Sequence, residues 1–267
     1  MDYASTPSPD PVGPGSALTQ VGRTDDLTFG DLSDFFNGFL EHFVAEALRG
    51  GGEVWASKSE GLVDGLLLYN DVEKIGSIFT RSEARAEELF ALKDPLAVFA
   101  EFPLAPTSET FHVCASDAPG ASEAHRFTHP ARIARASELP VITRMLREMY
   151  GQIDTSWLQT SSPEEDKCLV VEVGGELAGV GWVSVVEHQG RLHSLSVRPR
   201  FRRIGVGTDL WHARMLWAQR AGARRVISEI SEHNVASLAI ATAGGMQRTG
   251  RLFLSRKPVP RPGPPSA

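Results

Sequence analysis

Two glycines and two arginines in the C-terminal half have the spacing of a phosphate-binding turn. An apolar strand-like run ends at Val197, a proline follows two residues later, and Arg202-x-x-Gly205-x-Gly207 then opens a helical pattern. Glycines let the backbone turn tightly and approach a ligand closely, and the free N–H groups of a helix start bind phosphate oxygens. Arg202 and Arg203 add positive charge beside them. The segment therefore predicts a pyrophosphate-binding site.

Positive charge is concentrated around this turn. Residues 198–225 hold eight arginines, no lysine and one acidic residue, Asp209, whereas the whole chain has a formal net charge of −6. A solvated helix face explains part of the cluster, but guanidinium groups offer the paired donors that phosphates accept, which explains the four arginines beside the glycines. The acidic average argues against a general nucleic-acid binder.

Two well-known phosphate-binding motifs fit this segment poorly. A P-loop requires Gly-x-x-x-x-Gly-Lys followed by Ser or Thr, and no such pair follows either glycine. A Rossmann fingerprint requires a third small residue where Leu210 stands, and its strand would be the first of a βαβ unit rather than the third of a hairpin series. Glu229 lies near the position of that motif's acidic residue, but the other two features of the motif are not met.

The pattern resembles the coenzyme A signature of the GNAT (GCN5-related N-acetyltransferase) superfamily. Its first part is Val197-x-Pro199-x-x-Arg202-x-x-Gly205-x-Gly207, and a second stretch, Asn234-x-Ala236-Ser237-Leu238-x-Ile240 through Gly245-Met246, looks like the late helix of that family. The resemblance covers about residues 129–256. It implies an acyl-CoA N-acyltransferase fold, with acetyl-CoA as cosubstrate and no metal.

The resemblance also implies roles for individual residues. The strand before the glycines is expected to part from its neighbour and offer backbone groups to pantetheine, the turn is expected to hold the pyrophosphate, and Asn234 is expected near the thiol end. The residues expected to bind the cofactor are Leu195, Ser196, Val197, Arg202, Arg203, Ile204, Gly205, Val206, Gly207, Thr208 and Asn234. The implied reaction is direct attack of a primary amine on the acetyl thioester, with backbone donors polarising the carbonyl.

An attacking amine must lose a proton, so a general base is expected. The family often has a carboxylate four residues before the last valine of the strand, and here that residue is His193. An imidazole can take up a proton near neutral pH. The alternative is a strand histidine satisfied by a neighbour, and Glu172 and Glu229 on flanking strands are further candidate bases.

One residue departs from the family pattern. A tyrosine commonly stands seven residues after the asparagine and donates a proton to the leaving thiolate, whereas this chain has Ala241. Either another group or water protonates coenzyme A, or catalysis is slow or absent. This departure keeps open the alternative of a non-catalytic acyl-CoA sensor or interaction module.

The amine acceptor is not identified by the sequence. Glu148, Tyr150 and Trp157 lie in and after the first helix of the C-terminal block, where the family builds its acceptor pocket, and are candidate substrate residues. Surface and packing roles are the alternatives. A small-molecule amine and a protein amine both remain open, and the oligomeric state is not indicated.

Hydrophobic periodicity predicts the elements that carry these residues. In the C-terminal block it predicts an α+β fold with a mixed sheet and flanking helices. The predicted strands are Cys168–Val173, Glu176–Val186, Arg191–Val197, Val226–Ile230 and Arg251–Leu254. The predicted helices begin at Ser137, at Gly207 and at Asn234, and Gly174-Gly175 predicts a hairpin turn.

The N-terminal block has a similar order of elements. Its predicted helices cover 31–48 and 81–92, and its predicted strands are Glu53–Ser57, Leu62–Tyr69, Ala97–Phe102 and Phe111–Ala115. Residues 74–90 occupy the place of the phosphate-binding turn and its helix, but contain only Gly76. We therefore predict a tandem arrangement in which the first copy is degenerate, the alternative being an unrelated α+β domain.

Composition sets the wider limits. The chain has 267 residues, of which 42% are hydrophobic, enough for two domains. We expect a Pro/Gly/Ser-rich disordered tail at 1–22, an α+β domain at 23–116, a linker at 117–128, the acetyltransferase domain at 129–256 and a Pro-rich tail at 257–267. Two distant cysteines fit a reducing compartment. Without a secretory signal or a long apolar run, a cytoplasmic protein with no membrane partner is expected.

Overall fold

The computed structural model describes residues 18–22, 27, 40–49, 51–71, 74–93, 95–104, 107–117, 125–151, 166–186 and 188–256. The chain divides into two units, Met1–Ser108 with Leu254–Ala267, and Glu109–Phe253. Several predictions fall outside the described residues, namely Trp157, the beginning of the helix predicted at 31–48, most of the predicted linker and the C-terminal tail.

In its described residues, the first unit combines five strands with two helices. Its elements are β1 (Leu18–Val21), α1 (Leu40–Arg49), β2 (Glu53–Ser59), β3 (Leu62–Asn70), β4 (Ile75–Thr80), α2 (Glu83–Lys93) and β5 (Ala97–Ala100). Strands β1 to β4 are antiparallel in chain order, and β5 is parallel to β4. Strand β1 lies inside the range 1–22 that the sequence assigns to an unstructured tail, because Leu18 to Val21 pair with Ser57 to Val54 of β2.

Strand β4 is absent from the sequence-based prediction, which assigned its residues to a turn before a helix. Ile78 and Phe79 are buried, and Ile75–Thr80 pairs with β3 on one side and β5 on the other. Only Arg81 and Ser82 then separate β4 from α2, and the Ser82 hydroxyl accepts the N–H of Arg85. Such a short connection leaves no loop like the one that precedes the C-terminal glycines.

The second unit contains the remaining elements, apart from the first two residues of β6 and the last three of β12. They are β6 (Thr107–Ser116), β7 (Ala131–Ile133), α3 (Leu139–Tyr150), β8 (Asp166–Val173), β9 (Glu176–Val186), β10 (Gln189–Val197), α4 (Val206–Arg220), β11 (Arg225–Ser231), α5 (Val235–Ala243) and β12 (Gln247–Arg256). The strand order is β12-β6-β11-β10-β9-β8-β7. Strand β10 is parallel to β11 and antiparallel to β9. This mixed sheet confirms the predicted α+β class.

Strand β6 contributes most of its residues to the second unit. Val226 to Ser231 of β11 pair with Ser116 to Phe111 of β6. The sequence placed these β6 residues at the end of the first domain, because a pairing with a strand more than a hundred positions later leaves no local signal in a single sequence.

Helices α3 and α4 lie on opposite faces of the second unit's sheet. Side chains of β8 alternate between two apolar clusters, Cys168 and Val170 packing with α3 and Leu169 and Val171 packing with α4. This alternation is the period of a strand buried on both faces. We call the two sides of this sheet the α3 face and the α4 face, after the helix that packs on each.

The same order of elements occurs in both units. In each, three antiparallel strands are followed by a helix and by a strand parallel to the third, namely β2-β3-β4-α2-β5 and β8-β9-β10-α4-β11. In the second unit, residues 198–205 separate the third strand from its helix. In the described part of the chain, no helix is long and apolar enough to cross a membrane.

Candidate active site

The turn between β10 and α4 has the conformation of an anion-binding site. After a 3₁₀ turn at Pro199–Phe201, Arg203 and Gly205 adopt positive φ angles of 67° and 98°. Helix α4 then begins at Val206 with no side chain capping it. The first N–H groups of any helix lack intrahelical partners, and here no side-chain cap occupies them. They are therefore available to an anion at the positive end of the helix dipole.

The two glycines of the turn are needed for different reasons. Gly205 has a left-handed φ that only glycine adopts without strain. A Cβ on Gly207 would make only ordinary contacts inside the protein, at 3.5 Å from Ile240 Cδ1 and 3.7 Å from Val197 Cγ2. Internal packing therefore does not require glycine at 207, whereas a ligand lying against the backbone does. This observation fits a bound pyrophosphate.

The four arginines around the turn have different surroundings. Arg198 forms an ion pair with Glu148 (3.4 Å), and Arg200 pairs with Glu176. Arg202 and Arg203 are exposed beside the glycines. Arg202 Nε donates to the Val197 carbonyl at 3.2 Å. Two of the four clustered arginines thus lie exposed in the turn itself.

Strands β10 and β11 part beside the turn. Their parallel register covers only Gln189 to Arg191, opposite Arg225 to Ile227. Beyond it, the Ser228 hydroxyl donates to the Leu192 carbonyl at 2.8 Å. The end of β10, which carries Leu195 and Val197, therefore has an open edge on this side, as the resemblance implied.

Strand β10 is also irregular on its other side. His193 pairs with Trp182 of β9 and Ser196 pairs with Val180, so the register shifts between His193 and Ser196. Ser194 has a φ of 53° within this bulge. Bulges of this kind re-aim backbone groups and often lie beside active sites.

His193 has a carboxylate partner that the sequence analysis missed. His193 Nε2 donates to Asp166 Oδ1 at 3.2 Å, and both side chains are mostly buried. The Ser194 hydroxyl lies 3.3 Å from Nδ1. Asp166 begins β8, and β9 separates it from β10, so only the folded sheet brings the two side chains together. An imidazole held by a carboxylate at one nitrogen can accept a proton at the other.

The other two candidate bases lie elsewhere. Glu172 forms a surface ion-pair network with Arg132 and Glu138, near the hairpin end of β8. Glu229 lies on β11, where Arg191 Nε donates to both carboxylate oxygens at 3.2 Å. The structure therefore brings together His193 and Asp166, and neither glutamate with them.

Two candidate substrate residues lie at the end of α3. Tyr150 Oη is 3.1 Å from Ser196 Oγ, which joins α3 to the open end of β10. Glu148, two residues earlier, forms an ion pair with Arg198. Trp157 lies outside the described residues. The helix end and the strand end thus form one wall on the α3 face.

Asn234 and Ala241 lie on α5. Asn234 Oδ1 accepts the N–H of Ser237 at 3.2 Å and so caps the helix. Ala241 is fully buried in the apolar cluster that includes Val206 and Trp211. The tyrosine expected at this position is thus replaced by a core residue.

Two histidines form hydrogen bonds to Asp209 and to the backbone of the β10–α4 turn. Asp209, in the first turn of α4, is 1% exposed. Its carboxylate accepts the His125 Nε2 proton at 2.7 Å and the His129 N–H at 2.8 Å. His129 Nε2 also donates to the Ile204 carbonyl at 3.0 Å. Asp209 was visible in the sequence as the one acid among eight arginines, but its partners precede it by about eighty positions.

His212 belongs to the same group of histidines, and its environment should make the stability of the protein sensitive to acid. Its ring stacks on that of His125 at 3.8 Å. Burial lowers the pKa of His212 to about 4, and the neighbouring His125 adds to the effect. Between the ordinary pKa of histidine and this value, the unfolded chain binds a proton that the native protein does not, so stability must fall as the pH falls through that window.

We expect His212→Gln to flatten this dependence. Urea unfolding at pH 7 and pH 4.5 should show that the wild-type protein loses on the order of 1 kcal/mol more than the variant, after allowance for the partial exposure of the ring. Carboxylates titrate in both proteins, so only the difference between them is diagnostic. Equal losses would contradict the prediction.

Comparisons with known proteins bear on the family and the fold of this chain. Residues 137–244 match the Acetyltransferase (GNAT) family. A Drosophila protein of known structure has a TM-score of 0.67 and 15% identity, with coverage of 91% of this chain and 99% of that chain. No curated protein is significantly similar to this chain in sequence.

Two further structures bear directly on the fold. A tandem GNAT protein from the clavulanic acid biosynthesis pathway has a TM-score of 0.54 and 15% identity, with coverage of 91% of this chain and all of that chain (100%). A GCN5-related N-acetyltransferase from Sphaerobacter thermophilus has a TM-score of 0.57 and 16% identity, with coverage of 80% and 84%. Residues 137–244 therefore belong to the acetyltransferase (GNAT) family.

Proposed function

We propose that this protein is an acetyl-CoA-dependent N-acetyltransferase that acts on a primary amine in a ternary complex. The observation that carries the proposal is the β10–α4 turn, where an uncapped helix start, Gly207 with space for a ligand and the exposed Arg202 lie beside the open edge of β10. Phosphate binding needs such donors, and pantetheine needs such an edge.

The residues of the second unit suit both parts of the cofactor. The N–H groups of residues 203–208 would bind the pyrophosphate, Arg202 would add charge, and the backbone of Leu195 to Val197 would pair with pantetheine. Bound acetyl-CoA supplies an activated acetyl group: the amine nitrogen bonds to the acetyl carbon, the C–S bond breaks, coenzyme A leaves as thiolate and the amine loses a proton.

His193 is the proposed acceptor of that proton. With Nε2–H held by Asp166, the nitrogen that would take the proton is Nδ1, which lies 3.3 Å from the Ser194 hydroxyl. A water molecule could relay the proton to it. Tyr150 and Ser196, with Glu148 beside them, are proposed to line the acceptor side, and Trp157 stays a sequence-based candidate.

We expect His193→Ala to lower kcat about 100-fold with any amine that supports thiol release, since a positioned base contributes roughly that much. Asp166→Asn should lower kcat less and alter its pH profile between pH 6 and 9, because the imidazole loses its orienting partner. Unchanged rates in both variants, or a comparable loss in Glu172→Gln or Glu229→Gln, would assign the base elsewhere.

A sensor or interaction module without catalysis is the second candidate. It is favoured by Ala241, which is buried where the family has a proton-donating tyrosine. A thiol leaves adequately as thiolate near its ordinary pKa, so this change weighs on rate more than on feasibility. A sensor would bind acetyl-CoA but release no thiol with polyamine, amino-acid, aminoglycoside or lysine-peptide acceptors.

A thermal-shift titration tests the binding half of the proposal. Acetyl-CoA at 100 times its Kd should stabilise the native state by about 2.7 kcal/mol, and Arg202→Glu should remove the shift. Arg220→Glu, an exposed arginine at the other end of α4, is the charge-matched control. No shift in the wild-type protein would overturn the proposed function.

We further propose that the first unit is a degenerate copy of the same fold. Its element order matches that of the second unit, but two residues replace the eight-residue turn before its helix. The proposed location is the cytoplasm, which two free, buried cysteines favour.

A further inference from the structure

A buried arginine lies against the bulge of β10. Arg214 on α4 is 3% exposed, and within the described residues no carboxylate contacts it. Its Nη1 donates to the carbonyls of Trp182 (3.3 Å) and His193 (3.2 Å). Burial lowers its pKa to about 9, which leaves the guanidinium protonated at neutral pH. Buried charges are usually paired with an opposite charge, so this arrangement requires an explanation.

The arginine supports a strained piece of backbone. His193 and Trp182 form the pair just before the register shifts, and the next residue, Ser194, has a φ of 53°. A non-glycine residue in that conformation costs about 1 kcal/mol and needs support from its surroundings. Arg214 Nη1 bridges the two carbonyls at the point of the shift. Gly181 makes room for it, because a Cβ there would lie 3.0 Å from Arg214 Nε.

The orientation of one peptide group follows from these contacts. The His193 carbonyl points toward α4, where Arg214 binds it. The chain contains no cis peptide in its described part, and in a trans peptide the C=O and the N–H point in opposite directions. The N–H of Ser194 is therefore directed away from Arg214, in the part of β10 that lies beyond its pairing with β11. A cation bound to the oxygen of a peptide also polarises it and strengthens its N–H as a donor.

We propose that Arg214 is a positioning residue that orients and polarises the His193–Ser194 peptide, whose N–H donates to the carbonyl oxygen of the bound acetyl thioester. The inference rests on the proposed function and identifies the donor within β10 together with its support. Such a donor acts because it is fixed in a water-poor site before the reaction begins. The buried charge is then explained by its effect on the substrate carbonyl.

The test is an infrared measurement on bound acetyl-CoA labelled with ¹³C at the acetyl carbonyl, without any amine. The wild-type protein should shift the labelled carbonyl band to lower wavenumber. Arg214→Met should lose most of that shift and Arg214→Lys should retain part of it, while calorimetry shows that both still bind, because the β10–α4 turn is intact. Met215→Ala, which removes a buried neighbour on the same helix, controls for lost stability and should keep the shift.

A second variant covers the case in which Arg214→Met does not fold. Gly181→Ala keeps the charge but displaces the guanidinium, and should also reduce the shift. A full shift in Arg214→Met, or in both Gly181→Ala and Arg214→Lys, overturns the proposal. A wild-type band that does not move on binding overturns only this inference, whereas failure of the wild-type protein to bind acetyl-CoA overturns the proposed function as well.

Discussion

Replacing Gly207 by leucine is expected to weaken acetyl-CoA binding severely while leaving the melting temperature of the free protein almost unchanged. A Cβ at this position makes only ordinary contacts with Ile240 and Val197, and the remaining atoms of leucine would occupy the space in front of the first turn of α4. Leucine is also a better helix former than glycine, so the fold should not suffer.

The size of the effect follows from the bonds that would be lost. A hydrogen bond to a charged group contributes about 1.5–3 kcal/mol, and the leucine would block more than one N–H of residues 206–208. Each 1.4 kcal/mol is a factor of ten in affinity, so Kd should rise by about 100-fold or more. Gly207→Ala, with a single added carbon, should give a smaller loss.

A matched control separates this effect from a general change of glycine. A Cβ on Gly250, an exposed residue of β12, would approach only Val113, at 3.8 Å. Gly250→Leu should therefore bind acetyl-CoA normally in the same calorimetric titration. Normal binding by Gly207→Leu would show that no ligand lies against this turn.

The turn and its supporting strands could be predicted because their signals are local. The spacing of Gly205 and Gly207 after a strand that ends at Val197 indicated the β10–α4 turn, and the helix predicted from Gly207 is observed from Val206. The hairpin at Gly174-Gly175 is observed, with positive φ angles at both glycines. Backbone conformation at such positions depends on a few adjacent residues, so one sequence suffices.

The partners of the site residues could not be predicted, because sheet register determines them. Asp166 reaches His193 only across β9, and Arg214 contacts Trp182 and His193 only where the β9–β10 register shifts. His125 and His129 meet Asp209 from the end of the predicted linker and the residue that follows it. None of these pairs has a fixed spacing in the chain, so composition and pattern give no signal for them.

Strand β4 was missed for a different reason. Ile75–Thr80 is short, and the comparison with the second block suggested a turn at this place. The strand is buried because β3 and β5 flank it. An expectation of internal symmetry thus overrode a β-branched and aromatic run that by itself indicates a strand.

Replacing Gly244 by alanine is expected to destabilise the protein strongly. Gly244 follows α5, and a Cβ there would lie 2.0 Å from the ring of Trp211, which is 3% exposed on α4. The φ of Gly244 is −81°, which alanine adopts freely. The whole cost therefore arises from packing. Overpacking of this severity should cost about 3 kcal/mol and lower the melting temperature by roughly 6–12 °C.

The adjacent glycine gives a control of the opposite kind. Gly245 has a φ of 90°, and no atom of the described residues lies within 4 Å of a Cβ built there, so Gly245→Ala should cost only about 1 kcal/mol, through backbone strain. Trp211→Leu should partly rescue Gly244→Ala in a double-mutant cycle, because the smaller side chain removes the clash, but should not rescue Gly245→Ala. The contact between Gly244 and Trp211 joins α5, which follows Asn234, to α4, which follows the glycine turn. Any loss of acetyl-CoA affinity in Gly244→Ala should therefore be recovered together with stability in the double variant with Trp211→Leu. If stability returned in that variant but affinity stayed low, the binding site would not depend on this packing.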